Sequence, residues 1–96
     1  MAEIKWLPEA IADFERLYFF LLDKDIDAAN NAVRTILKGT NLLTVTPRIG
    51  RPMSDEGDRR ELFLAFGAGA YVIRYKFESD DTVVIVRVWH SRESRI

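Results

Sequence analysis

The apolar residues of this chain change period part-way along it, and that change constrains the fold more than any other feature. Ile11, Phe14, Leu17, Tyr18, Leu21 and Leu22 recur at three- and four-residue spacing, and so do Ala29, Ala32, Val33, Ile36, Leu37 and Leu43. A helix places such positions on one face, so both segments predict amphipathic helices. From Leu62 to His90 the pattern becomes short apolar or alternating runs separated by glycine and aspartate turns, which predicts strands. A helix pair followed by a block of strands is the α+β arrangement, with the helices covering one face of a sheet.

The boundaries follow from local chemistry. Ile4 and Trp6 alternate with Glu3 and Lys5, as in a short strand with one buried face. Pro8 suits a first helical turn, where its missing N–H is no loss, so the first helix spans residues 8 to about 24. Glu9 and Asp13 then favour the positive end of the helix dipole. Asp25 or Asp27 can cap the second helix, which Gly39 weakens and which ends before Pro47. The short connection makes the helices an antiparallel hairpin. Residues 44–60 read as a loop, with Pro47, Gly50, Pro52, Gly57 and the charged run from Asp55 to Arg60. Strands follow at 62–66, 70–77 and 83–90, with turns at 67–69 and 79–82. The order is β-α-α-β-β-β, a helix hairpin on one face of a mostly antiparallel twisted sheet. With 96 residues, 1–96 form a single domain with one core.

Helices cover one sheet face only, so the other face meets solvent or a partner. Strand parity assigns Tyr71, Ile73, Tyr75 and Phe77 to the helices, and Val72, Arg74 and Lys76 to the open face. With a four-residue hairpin loop, Glu78 lies opposite Val83, Arg74 opposite Arg87 and Val72 opposite Trp89. Val84, Val86, Val88 and His90 then face the helices. Two arginines side by side repel, so an acidic side chain or a phosphate belongs between them, with Glu61 or Glu78 as the simplest relief. An exposed Trp89 beside arginines has the composition of an interface hot spot. Arg92 and Arg95 extend the basic strip, and the polar stretch from His90 to Arg95 is expected to serve a target more than the core.

Several chemistries are excluded. There is no cysteine and one histidine, which excludes disulfides and thiol catalysis, and no metal site is expected. Gly67-Ala68-Gly69 joins two strands and opens no helix, so it cradles no phosphate and no cofactor is expected. Ser91 beside His90 lacks the third member of a triad. The net charge of −1 argues against wholesale coating of nucleic acid. No apolar run spans a bilayer and no signal peptide opens the chain, so a cytoplasmic protein with no membrane partner is expected.

The chain resembles the RelE/ParE family of toxins from type II toxin–antitoxin modules. Ile4-Lys5-Trp6-Leu7-Pro8-Glu9-Ala10 is similar to the family's first strand running into helix one. Pro47 with Gly50-Arg51-Pro52 is similar to its loop after helix two, and Arg60-Glu61-Leu62 to its second strand. Tyr71-Val72-Ile73-Arg74-Tyr75 and the run from Val83 to Arg92 are similar to its final hairpin. The resemblance implies a growth-arresting toxin silenced by a cognate antitoxin, which has a DNA-binding dimerisation domain and a tail that folds onto the toxin. The toxin itself is not expected to read DNA sequence.

The family splits by target. One branch cuts messenger RNA on the ribosome with lysines, arginines and often a C-terminal tyrosine. Here Val72 stands where that branch often has arginine, no tyrosine follows Tyr75, and no lysine follows Lys76. The ParE-like branch, which inhibits DNA gyrase, is similar in its ending to Val88-Trp89-His90-Ser91-Arg92-Glu93. The resemblance therefore favours a gyrase inhibitor. The expected surface for target or antitoxin is Arg74, Lys76, Arg87, Trp89, His90, Arg92 and Arg95. Under the ribonuclease alternative, Arg74, Arg87 and His90 would be catalytic. A non-toxic decayed module or adaptor domain is the third reading.

Overall fold

The structure is a computed structural model that describes residues 1–54 and 57–93. Strand β1 (Glu3–Trp6) leads into helix α1 (Pro8–Leu22) and helix α2 (Ile26–Val45), then β2 (Arg51–Pro52), β3 (Arg59–Phe66), β4 (Gly69–Ser79) and β5 (Thr82–His90). The sheet order is β1-β5-β4-β3-β2. β1 runs parallel to β5, and the other neighbours are antiparallel. The helix pair lies on one face of this sheet, as the change of period requires. Strand β2 was not expected. It has two residues inside the 44–60 loop, and its proline lacks the N–H that periodicity-based strand signals presuppose.

Local sequence explains the boundaries. Pro8 starts α1, and Asp25 caps α2 by accepting hydrogen bonds from the backbone N–H groups of Asp27 and Ala28. Gly39 does not end α2. A Cβ there would stand 2.4 Å from Leu64 Cδ1, so the missing side chain lets α2 approach β3 and β4. The core between helices and sheet contains Leu17, Ile36, Leu43, Tyr71, Ile73, Tyr75, Val83, Ile85 and Val88. Tyr75 is fully buried and orders the loop after α2. Its hydroxyl donates to the Pro47 carbonyl at 2.8 Å and accepts from the Gly50 N–H at 2.9 Å. Arg60 adds two bonds, to the carbonyls of Arg48 and Gly50.

The parity of β4 is as expected, but that of β5 reverses part-way. Tyr71 pairs with His90, Val72 with Trp89, Ile73 with Val88 and Arg74 with Arg87. The register then shifts, and Tyr75 pairs with Ile85, Lys76 with Val84 and Phe77 with Val83. Val86 is the extra residue of a bulge. Val83, not Val84, therefore faces the helices, and Val83 lies opposite Phe77 rather than Glu78. The unbroken apolar run from Val83 to Val86 carries no alternation, so nothing in it marks the slip.

Candidate interaction surface

Partners across a sheet share a face, so the register maps the open face row by row. One row holds Arg51, Glu61, Arg74 and Arg87. The next, towards the β3–β4 turn, holds Phe63, Val72 and Trp89. On the other side lie Arg59, Lys76, Val84 and Lys5. Val72 is 2% exposed although it is outside the helix-side core, because it lies between two large rings. The Arg51 guanidinium lies 4.9 Å from the centre of the Phe63 ring, and that of Arg74 lies 4.9 Å from the centre of the Trp89 ring. Each such contact adds about 0.5–1 kcal/mol at an exposed site.

The two facing arginines are relieved separately. Arg74 donates to Glu61 through Nε and Nη2, at 3.0 and 2.7 Å, as expected of that carboxylate. Arg87 is held by Asp13 of α1 instead, through bonds of 2.7 and 3.0 Å. Asp13 also accepts from the Val88 N–H and from Arg16 Nη1. Its side chain is only 4% exposed. Burial alone would raise this carboxyl's pKa, but the donors from Arg87, Val88 and Arg16 outweigh burial and hold it below its ordinary value. Asp13 was read from sequence as a favourable charge near a helix end. The available signal was its place between Ala10 and Leu17, on the stripe that faces the core.

His90 and Arg92 do not join this surface. His90 faces the helices, with its ring edge-on to Tyr71 at 5.1 Å. Its Nε2 lies 2.9 Å from the Phe66 carbonyl, and its Nδ1 accepts from the Arg92 N–H at 3.2 Å. A carbonyl can only accept, so Nε2 carries the proton and Nδ1 is the acceptor. Burial, assisted by Glu93, pushes Tyr71 beside it up to about 12. His90, Arg92, Tyr71 and Phe66 instead line an apolar cleft of about 610 Å³ closed on its other side by Leu17, Phe20 and Leu21 of α1. Arg95 lies outside the described residues.

The turn after β5 belongs to the fold as far as Glu93. Glu93 accepts two bonds from Arg16 and one from the His90 N–H. Ser91 exchanges hydrogen bonds with the Ala70 backbone. The expectation that this stretch contributes little to folding is therefore corrected for residues 91–93. The basic strip is also rearranged: Arg74, Lys76 and Trp89 share the open face, Arg87 is tethered to α1, and Arg92 is on the cleft. Sequence reasoning missed Phe63, because the run from Leu62 to Phe66 has no alternation to assign its faces, and Arg51, because β2 was read as loop.

Among the described residues no cluster of potential metal ligands occurs, and no helix is long and apolar enough to cross a membrane. The family described as ParE toxin of type II toxin–antitoxin system, parDE, matches residues 4–95. The chain is 36% identical to the toxin RelE3 of Caulobacter vibrioides over 95 residues, covering 99% of this chain and 100% of that one. It is 35% identical to the toxin RelE1 of the same organism over 83 residues, covering 86% of each. A solved structure described as a chromosomal ParDE system from P. aeruginosa superposes with a TM-score of 0.71 over 94% of this chain and 96% of that one. At 22% identity it speaks for the fold. Profile, relatives and fold agree with the pattern read from the residues: the chain belongs to the RelE/ParE family of type II toxin–antitoxin toxins.

Proposed function

We propose that this toxin arrests growth by binding and inhibiting DNA gyrase, without catalytic chemistry of its own, and that a cognate antitoxin neutralises it. The observation that carries this reading is the state of His90. Cutting RNA at a ribose hydroxyl calls for a group that takes up a proton, and histidine is the side chain whose ordinary range lies near neutral pH. Here one ring nitrogen is bonded to the Phe66 carbonyl and the other to the Arg92 N–H, on the helix side of the sheet. Burial pushes the Tyr71 hydroxyl up to about 12, and the Tyr75 hydroxyl is engaged in donating a hydrogen bond to the Pro47 carbonyl. What the open face does offer is an apolar row beside arginines, which is suited to recognition.

The antitoxin tail fits the same molecule at another place. The apolar cleft beside α1 offers a recess for side chains of a peptide that orders on binding. Purified toxin tested side by side against gyrase and against ribosomes programmed with message separates the readings. Inhibited supercoiling with intact message is the expected result. Cleavage of ribosome-bound message that is lost in Arg74→Ala would establish the ribonuclease alternative in its place.

A further inference from the structure

The net charge of −1 conceals a polarised molecule. Besides Arg59, the residues Lys5, Arg51, Arg74, Lys76 and Arg87 are five further cations on two neighbouring rows of the open face. Their carboxylate partners are Glu78, Glu61 and Asp13. Five against three leaves this group with an excess of two positive charges, so the rest of the chain carries an excess of three negative ones. The excess has an address. Among the described residues, Lys76 has no carboxylate partner, and Arg51 rests on the Phe63 ring rather than on an acid. These two flank the Arg74–Glu61 pair.

We propose that this face is a sequence-independent contact surface for the phosphate backbone of duplex DNA. It rests on the gyrase reading, and it makes the enzyme's bound DNA part of what the toxin touches. Three observations favour a duplex over other polyanions. The cations are spread across several strands, which matches a broad charged surface better than one extended peptide. The clefts that would seat peptide side chains lie elsewhere, beside α1 and at the end of the helix hairpin. The Trp89 and Phe63 rings each have a guanidinium over one face, which takes up a surface on which unpaired bases would stack. Arg51, Arg74 and Lys76 therefore meet backbone oxygens, and the bases stay paired.

The test is anisotropy of a short labelled duplex titrated with the full-length toxin at several salt concentrations. Three phosphate contacts give a slope of log K against log salt of about −2.7, or about a 40-fold loss between 50 and 200 mM. Reversing two of them, in Arg51→Glu with Lys76→Glu, lowers the slope towards about −0.9. Lys38→Glu, exposed on α2, makes the same kind of charge reversal away from the face and retains more than half of the slope of the wild type. Arg51→Gln with Lys76→Gln repeats the loss should the reversal disturb folding. Equal binding by the wild type and both double variants overturns the proposal. So does tighter binding of polyglutamate or single-stranded RNA than of the duplex, which assigns the face to an acidic protein or to RNA. Gyrase inhibition measured on the same proteins separates this proposal from the reading beneath it. Inhibition without duplex binding refutes only the DNA surface, and duplex binding without inhibition refutes only gyrase as the target.

Discussion

Arg74 and Arg87 face each other across the same two strands, yet they are held in opposite ways. Arg74 stays on the sheet. Its carboxylate is Glu61 on the adjoining strand, its guanidinium covers Trp89, and the whole group remains on the open face. Arg87 is bound to Asp13 of α1, at a carboxylate that also takes the Val88 N–H and Arg16. The first pair lies within the open face of the sheet, and the second fastens a helix to the sheet. The difference lies in burial: Glu61 is half-buried among exposed neighbours, whereas Asp13 is sealed against the core. The Arg87 guanidinium is the more exposed of the two, yet its position is set by α1, whereas that of Arg74 is set within the sheet.

Breaking the Asp13 side of this comparison has the largest effect. Asp13→Ala takes an acceptor from Arg87, Arg16 and the buried Val88 N–H; both guanidiniums stay about half exposed and Arg16 keeps Glu93, so the loss should be about 2–3 kcal/mol in urea unfolding. Removing residues 91–96 takes away the Ser91 and Glu93 bonds and should cost about 1–2 kcal/mol by the same measurement. Glu61→Gln should cost about 1 kcal/mol, because Arg74 keeps its ring contact and access to water. That variant should instead change target affinity, since it frees a guanidinium on the open face.

Acid sharpens the same contrast. The Asp13 carboxyl ionises below its unfolded value of 3.8, so folding favours the charged form. Its contribution is complete above that value and is lost as pH falls through the lower folded value. Wild-type stability should therefore fall more steeply than that of Asp13→Asn below about pH 4, in denaturant titrations across the acid range. Parallel slopes would place the acid sensitivity elsewhere.

Much of this was legible in the chain. The change of apolar period gave the two helices and the sheet, and alternation in Tyr71–Phe77 gave the faces of β4. The Arg74–Arg87 and Val72–Trp89 pairings agree with the expectation although the turn is Asp80-Asp81 rather than 79–82, because the extra residues Glu78 and Val86 on the two strands offset each other. Four things were hidden for physical reasons. The Val86 bulge sits in a run of apolar residues with no alternation to break. The β2 strand is two residues ending in proline. Asp13 sits where a helix dipole already accounts for an acid, and its partner is 74 residues away. The tie of His90 to Phe66 and Arg92 depends on the β3–β4 turn and on the turn after β5, and neither shows in strand parity.

A structural His90 is dispensable for toxicity as long as its two hydrogen bonds are kept, so His90→Gln is the direct test. An amide can still donate to the Phe66 carbonyl and accept from the Arg92 N–H, but it cannot shuttle a proton near neutral pH. Induced growth arrest should persist at wild-type potency, with thermal unfolding measured alongside to confirm a folded protein. A folded His90→Gln toxin that no longer arrests growth, with ribosome-bound message left uncut where the wild type cuts it, would contradict the account.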